Sequence, residues 1–235
     1  MREFLDAFFS PYNFRVSLPY VWDGFTTNLK LMFVAEALVL VFALAVAVIR
    51  GLPGRGVAPL RWLAIVYTDF FRGTPLILVV FVIGFGFPSL NVAVISDQSV
   101  FVYGIIALVL VYTAYVTEVY RAGIESVHPS QRMAARSLGL TYGQAMRYVV
   151  LPQAVRRVVP PLLNDFIGLQ KDTAIITVIA LAEAVLQAQN YSANTFNFTG
   201  YTVAAVFFVM VTIPLTRYLD HIIKQRDARE RAQLV

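Results

Sequence analysis

Cysteine is absent from all 235 residues, which excludes disulfides, iron–sulfur clusters and thiolate zinc sites and leaves the redox compartment unread. Charge is scarce: Asp, Glu, Lys and Arg make up 14% of the chain, against about 25% in a soluble domain. Histidine occurs only at His128 and His221, too isolated to suggest a metal site or a catalytic dyad. No G-x-x-x-x-G-K-[ST] loop is present to cradle nucleotide phosphates. A convergent cluster of nucleophile, base or metal ligands is also missing, which argues against a membrane enzyme. Near the start, Asp6 and Pro11 break up the only early apolar stretch, so no uninterrupted core of a cleaved signal forms.

What the chain has instead is apolar length. Hydrophobic residues account for 58% of it, above the about 45–50% of soluble proteins. Roughly 20 mostly apolar residues cross a bilayer core, and five segments qualify: Leu31–Ile49, Trp62–Phe87, Val100–Tyr120, Pro160–Leu181 and Tyr201–Leu219. The second is interrupted by Arg72-Gly73-Thr74-Pro75, the fifth carries Pro214 near its end, and a Gly/Pro-rich turn region at 51–59 follows the first. The expected fold is an all-α membrane protein, a polytopic bundle of five transmembrane helices. Phe4, Leu5, Phe8 and Phe9 fit one face of a short helix at the membrane surface, or else belong to a partly ordered tail.

Charge then orients the bundle. Arg50, Arg55 and Arg61 follow the first span, and Arg121, Arg132, Arg136, Arg147, Arg156 and Arg157 follow the third. Arg217, Lys224, Arg226, Arg229 and Arg231 cluster at the end. The links 88–99 and 182–200 hold no Lys or Arg at all. Basic links belong on the cytoplasmic side, so the N-terminus is expected outside and the C-terminus inside. Arg2, Arg15 and Lys30 run against this rule but are outnumbered. The formal net charge of +5 thus reflects membrane orientation and implies no nucleic-acid partner.

The polar stretch 121–159 does not read as a loose loop. Pro129 suits a first helical position and Gly139 a stop. Thr141 with Gln144 forms a capping box for a second short helix, which should end before Pro152. Two short helices meeting at a glycine make an elbow, which suits either docking to a cytoplasmic partner or packing on its own bundle.

Polar residues inside spans usually face a bundle interior or a water-filled path. Asn164, Asp165, Gly168, Lys171 and Asp172 fall within an arc of about 120° on a helix, while Gln170 and Thr173 point elsewhere. That face suits a translocation path or gate, or ion pairs that join helices. Glu36 in the first span suits a path position or an interhelical hydrogen bond equally. Pro75 lacks a backbone donor and biases Thr74 away from helix, so Gly73 and Pro75 mark a hinge or a packing kink. Asp69 and Arg72, three apart, are candidates for an ion pair.

The stretch from Glu118 to Gly139 resembles the signature of permease subunits of ATP-binding-cassette importers, and within them the polar amino acid uptake family. The pattern Glu-Ala-Ala, three residues, Gly, nine residues, Ile-x-Leu-Pro falls on Met133, Ala134, Ala135, Gly139, Val149, Leu151 and Pro152. Phe71-Arg-Gly-Thr-Pro75, Leu151-Pro-Gln-Ala154, Asn164 and Lys171-Asp172-Thr173 also match, so the likeness runs from about Gly24 to Tyr218. The leading Glu is replaced by Met133, which removes a carboxylate contact expected at the docking site.

The resemblance implies a MetI-like permease fold with an outer or interfacial segment at 1–23, a membrane domain at 24–222 and a cytoplasmic tail at 223–235. It makes 121–159 the coupling loop and places Ala134, Ala135 and Gly139 on the surface that meets an ATPase cleft. The implied partners are ATPase subunits, a second permease subunit, an extracytoplasmic solute-binding protein, an amino acid substrate and the bilayer. ATP and Mg would sit on the ATPase subunits, and no cofactor or metal on this chain, which would have no catalytic residues. A stand-alone secondary transporter of a small polar solute is the alternative, but the internal repeats common in that class are not found.

Overall fold

The computed structural model describes residues 1–232, and among them it is helical with no strand. The chain runs through α1 (Arg2–Phe9), α2 (Pro11–Gly51), α3 (Ala58–Gly73), α4 (Leu76–Phe81), α5 (Phe87–Ser89) and α6 (Ala93–Ser96). It continues through α7 (Val100–Glu125), α8 (Pro129–Ser137), α9 (Tyr142–Ala145), α10 (Leu151–Asp172), α11 (Ala184–Thr195) and α12 (Thr199–Ala232). Wide π turns occupy Val82–Gly86 and Met146–Val150, and a 3-10 helix occupies Thr173–Ile179. The last three residues of the expected tail, 233–235, lie outside the described residues.

Three helical stretches are long and apolar enough to cross a membrane: Glu3–Gly51, Val100–Glu125 and Thr199–Gln225. Ala58–Gly73 and Leu76–Ser89 form a fourth if the break between them is counted inside one span. The segment expected at Pro160–Leu181 differs. Its α-helix begins earlier, at Leu151, ends at Asp172 and tightens into the 3-10 helix. The β-branched run Thr173, Ile175, Ile176, Thr177, Val178 and Ile179 favours that departure, because such side chains crowd the preceding turn.

Two compact units make up the chain; four of their boundaries fall inside α2, α7, α10 and α12, and the fifth at the end of α3. Unit 1 comprises 1–38, 74–111 and 166–218. Its part of α2 carries a buried stripe of Ser17, Val21, Gly24, Phe25, Asn28, Leu31, Met32 and Ala35, spaced as one helix face requires. That stripe explains why α2 starts 20 residues before the apolar run at Leu31, and why the boundary expected at residue 23 lies within a continuous helix. Lipid supplies little hydrophobic drive between helices, so close approach of small residues matters more. Val21 and Phe25 accordingly pack with Ala184, Ala188, Val203, Ala204 and Phe207. A Cβ on Gly24 would lie 2.6 Å from the Glu183 carbonyl carbon, so only glycine fits there.

The N-terminal helix is tied down at its end. Asn197 Nδ2 donates to the Asp6 carbonyl (2.7 Å), Phe198 N to Ala7 (2.8 Å) and Thr202 Oγ1 to Phe8 (2.7 Å), while Ser10 N donates to Thr199 Oγ1 (3.2 Å). The first three bonds satisfy carbonyls that a helix C-terminus leaves without internal partners. Phe8 stacks on Phe198 at 5.3 Å, and Phe4, Leu5 and Phe9 are exposed.

Unit 2 comprises 39–73, 112–165 and 219–235. Val127, Val150 and Ala154 form its local core, with Ile124 and Met146 against them. A Cβ on Gly123 would meet Val158 Cγ1 at 2.0 Å, so α7 and α10 approach closely there. Pro152 does not end a helix. The second short helix passes through the π turn Met146–Val150 and joins α10, with Pro152 in its first turn. A wide turn gives the proline ring and its missing donor a place within a continuing helix.

Candidate functional site

The elbow is closed by local hydrogen bonds. His128 Nδ1 accepts from Ser130 N (3.2 Å) and caps α8, with Pro129 as the first helical residue. At the other end Leu140 N donates to the Ala135 carbonyl (3.2 Å) and Gly139 N to Arg136 (3.0 Å). This is a Schellman closure, and it requires the left-handed conformation that Gly139 adopts at φ +87°. The expected capping box follows, with Gln144 N donating to Thr141 Oγ1 (3.3 Å) and Thr141 N to Gln144 Oε1 (2.9 Å).

Fixing the elbow in this way leaves an apolar surface outward. Met133 is 63% exposed and Leu138 84%, with Tyr142 and Tyr148 also exposed. Ala134, Gly139, Leu151 and Pro152 are exposed as well. Ala135 is not. At 4% exposure it is turned into unit 2, because it falls on the inner side of α8, and it is not part of the outward surface.

Unit 2 also holds an ion-pair network that local spacing signals only in part. Arg50 pairs with Glu118 and donates to Thr68 Oγ1 (2.9 Å). Arg121 bridges Glu118 (2.7 Å) and Glu125. Arg50 and Glu118 are only 13% and 15% exposed, so the pair is partly desolvated and stronger than a surface contact. The 118/121/125 spacing was the available signal for part of it. Asp69 and Arg72 are both exposed and do not form the ion pair their spacing allowed.

On α10 and the first residue of the 3-10 helix that continues it, Asn164 and Lys171 are exposed and Asp165, Gly168 and Asp172 half-buried, whereas Gln170 and Thr173 are buried. The two faces therefore separate as helical spacing requires. Thr212 Oγ1 donates to Gln170 Oε1 (2.9 Å), and Thr173 Oγ1 accepts from Asn28 Nδ2 (3.0 Å). Asn28 Nδ2 also donates to Glu183 Oε2 (3.0 Å), and its Oδ1 accepts from Ala184 N (3.0 Å). Glu183 in turn caps α11 by accepting from Leu186 N (2.8 Å) and Val185 N (3.0 Å). Burial pushes the Glu183 carboxyl up, and these donors hold that shift in check. The Asn28–Glu183 link joins residues 155 positions apart, so no local signal could reveal it.

Glu36 is half-buried in unit 1. Gly73 ends α3, Pro75 is extended (φ −57°, ψ 133°), and α4 starts at Leu76. Among the described residues no group of His, Cys, Asp and Glu could hold a metal ion. Unit 2 also contains a groove of about 550 Å³ lined by Arg72, Tyr115, Glu118, Ser126, Arg157 and Asp165, among others.

Membrane-length helices, an inner set of buried polar links and an elbow presenting apolar side chains define a multi-pass helical membrane protein. The chain is 38% identical over 206 residues to a probable glutamine ABC transporter permease protein, GlnM, of Bacillus subtilis, covering 87% of this chain and 92% of that one. It is 34% identical over 198 residues to an arginine transport system permease protein, ArtQ, of the same organism, covering 83% and 88%. A crystal structure of an amino acid ABC transporter with histidines matches with a TM-score of 0.80 and 33% identity, covering 88% of this chain and 94% of that one. An inward-facing structure of the MetNI methionine ABC transporter shares the fold, with a TM-score of 0.69 at 21% identity and coverages of 88% and 95%. The family model of binding-protein-dependent transport system inner membrane components matches residues 43–227, and the chain belongs to that family.

Proposed function

We propose that this chain is the permease subunit of an importer that moves polar amino acids across the bacterial plasma membrane, driven by separate ATP-binding-cassette subunits. The observation that carries this reading is the elbow: a doubly capped, rigid turn presents Met133, Leu138 and Tyr142 outward on a chain of this family. A large exposed apolar patch marks an interaction site, and the relatives are named as amino-acid permeases. The elbow, with Met133, Ala134, Gly139, Leu151 and Pro152, docks on the ATPase subunit, which holds ATP and Mg; this chain binds neither. A second permease subunit completes the path, and an extracytoplasmic binding protein delivers the substrate. Asn164, Asp165, Lys171 and Asp172, with Glu36, contribute polar groups to that path, and Gly73 and Pro75 provide its hinge.

The test is co-expression with the ATPase subunit from the same gene cluster, followed by reconstitution with the binding protein. Co-purification and amino-acid-stimulated ATP hydrolysis are expected. Uptake that follows an ion gradient and ignores ATP would replace this reading with a secondary transporter.

A further inference from the structure

The elbow carries charge of one sign. Between Glu125 and Asp165 the chain has Arg132, Arg136, Arg147, Arg156 and Arg157, and no Asp or Glu at all. The carboxylates just before it are already engaged: Glu118 holds Arg50 and Arg121, and Glu125 holds Arg121. Arg157 is turned back onto the Ser126 carbonyl. Arg132, Arg136 and Arg156 make no side-chain hydrogen bond or ion pair with another described residue. Arg147 meets only the Tyr148 ring, at 5.8 Å. Arg136 and Arg147 are both exposed. A guanidinium with its donors uncommitted presents a planar fork that matches a carboxylate. These cations border the apolar tips. On α8, Arg132 and Arg136 stand one turn apart with Met133 on the adjoining face, and Arg147 follows the helix that Tyr142 begins. An apolar centre inside a charged border is how a protein interface is built. The closures at Gly139 and Thr141 fix charge and apolar tips relative to one another, which a shaped protein surface can use and a fluid lipid leaflet cannot.

We infer that the elbow selects its ATPase subunit by charge: the cleft that receives Met133, Leu138 and Tyr142 is bordered by carboxylates that meet Arg136 and Arg147. The inference rests on reading the elbow as the ATPase dock. It adds the chemistry of the partner's surface and the basis on which this chain tells its own ATPase from another. A cleft with a basic border is repelled by the same arginines, so a single charge pattern attracts one partner and rejects others. Charges at the border of an interface act mainly on the rate of encounter and on its salt dependence. Such steering raises association by about 10–10³-fold. It fades as the screening length shrinks from about 10 Å at 0.1 M salt to about 3 Å at 1 M.

The membrane portion of the importer is held in phosphatidylcholine nanodiscs, which carry no net charge. Binding of the ATPase subunit from the same gene cluster is then followed in time at about 0.1 M and about 1 M salt. The wild-type association rate should fall about ten-fold or more at the higher salt. Arg136→Glu combined with Arg147→Glu should lose at least as much at low salt and gain rate, not lose it, as salt rises. Arg136→Lys combined with Arg147→Lys, which keeps the charge, should stay near wild type. Both side chains are exposed and without a carboxylate partner in the chain, so the reversed variant should keep the wild-type thermal midpoint. If it does not fold, the salt response of the wild type decides alone. A wild-type rate that salt leaves unchanged, or a charge reversal that leaves the rate at wild type, overturns the proposal. Association itself would then still support the elbow as the dock. No association at either salt would overturn the dock and this proposal together. Association that ignores the substitutions in phosphatidylcholine but depends on them in phosphatidylglycerol assigns the arginines to anionic lipid and also overturns the proposal.

Discussion

Gly139 shows how much one residue can carry. Its φ of +87° closes α8, and a Cβ built there meets no atom within 4 Å. A substitution is therefore strained by the backbone alone, and any steric conflict must come from a docked partner. Gly139→Val should cost about 1 kcal/mol or more in the elbow and reduce ATPase co-purification or stimulated hydrolysis. Gly139→Asn, which tolerates this conformation better, should fall between Val and wild type. Met133→Glu should be tolerated, since it restores the carboxylate of the resembling pattern. Wild-type association in Gly139→Val would make the elbow a mere connector. A second residue prediction concerns Asn28, whose side chain meets Thr173, Glu183 and the Ala184 amide. Asn28→Leu strips one donor from a buried carboxylate and should cost about 1–3 kcal/mol, read as a lowered thermal midpoint of the purified protein. An unchanged midpoint would mean that the cluster contributes nothing.

At the level of elements, what the sequence disclosed was local. The Thr141–Gln144 box, the Gly139 stop and the separation of Gln170 and Thr173 from Asp172 all depend on spacings of a few residues, and all are seen. Helices normally stop before proline, so Pro152 predicts a terminator, yet a π turn absorbs it. The start of α2 was hidden for a different reason. Asn13, Arg15, Asp23 and Lys30 make its first turns look extramembrane, and only tertiary packing shows that its buried face is continuous. The Arg50–Glu118 and Asn28–Glu183 links join distant positions and lay beyond any local pattern. For α10 the expected outcome follows from its two faces. Asp172→Ala should impair uptake at matched assembly, whereas Thr173→Ser, which keeps the hydroxyl that accepts from Asn28, should transport near wild type. Equal uptake by the two would remove the case for that face as the path.

For the molecule as a whole, the strongest sequence signal was the alternation of basic and uncharged links, and it yields a direct test of orientation. Ser130 and Asn194 are both exposed, and the chain offers no competing thiol. A membrane-impermeant maleimide applied to intact cells should label Asn194→Cys and spare Ser130→Cys. The reverse pattern would invert the proposed topology.

The ties between α1 and the start of α12 have a bearing on the order in which the protein is made. Residues 6–10 are held by partners at 197–202, from 189 to 194 positions later in the chain. At a synthesis rate of roughly 5–20 residues per second, the first helix leaves the ribosome roughly 10–40 s before its anchors exist. During that interval Phe8 lacks its stacking partner Phe198 and has only lipid or a chaperone to rest against. Nascent chains arrested before residue 197 should therefore lose this helix to proteases, and completion of the last span should abruptly protect it.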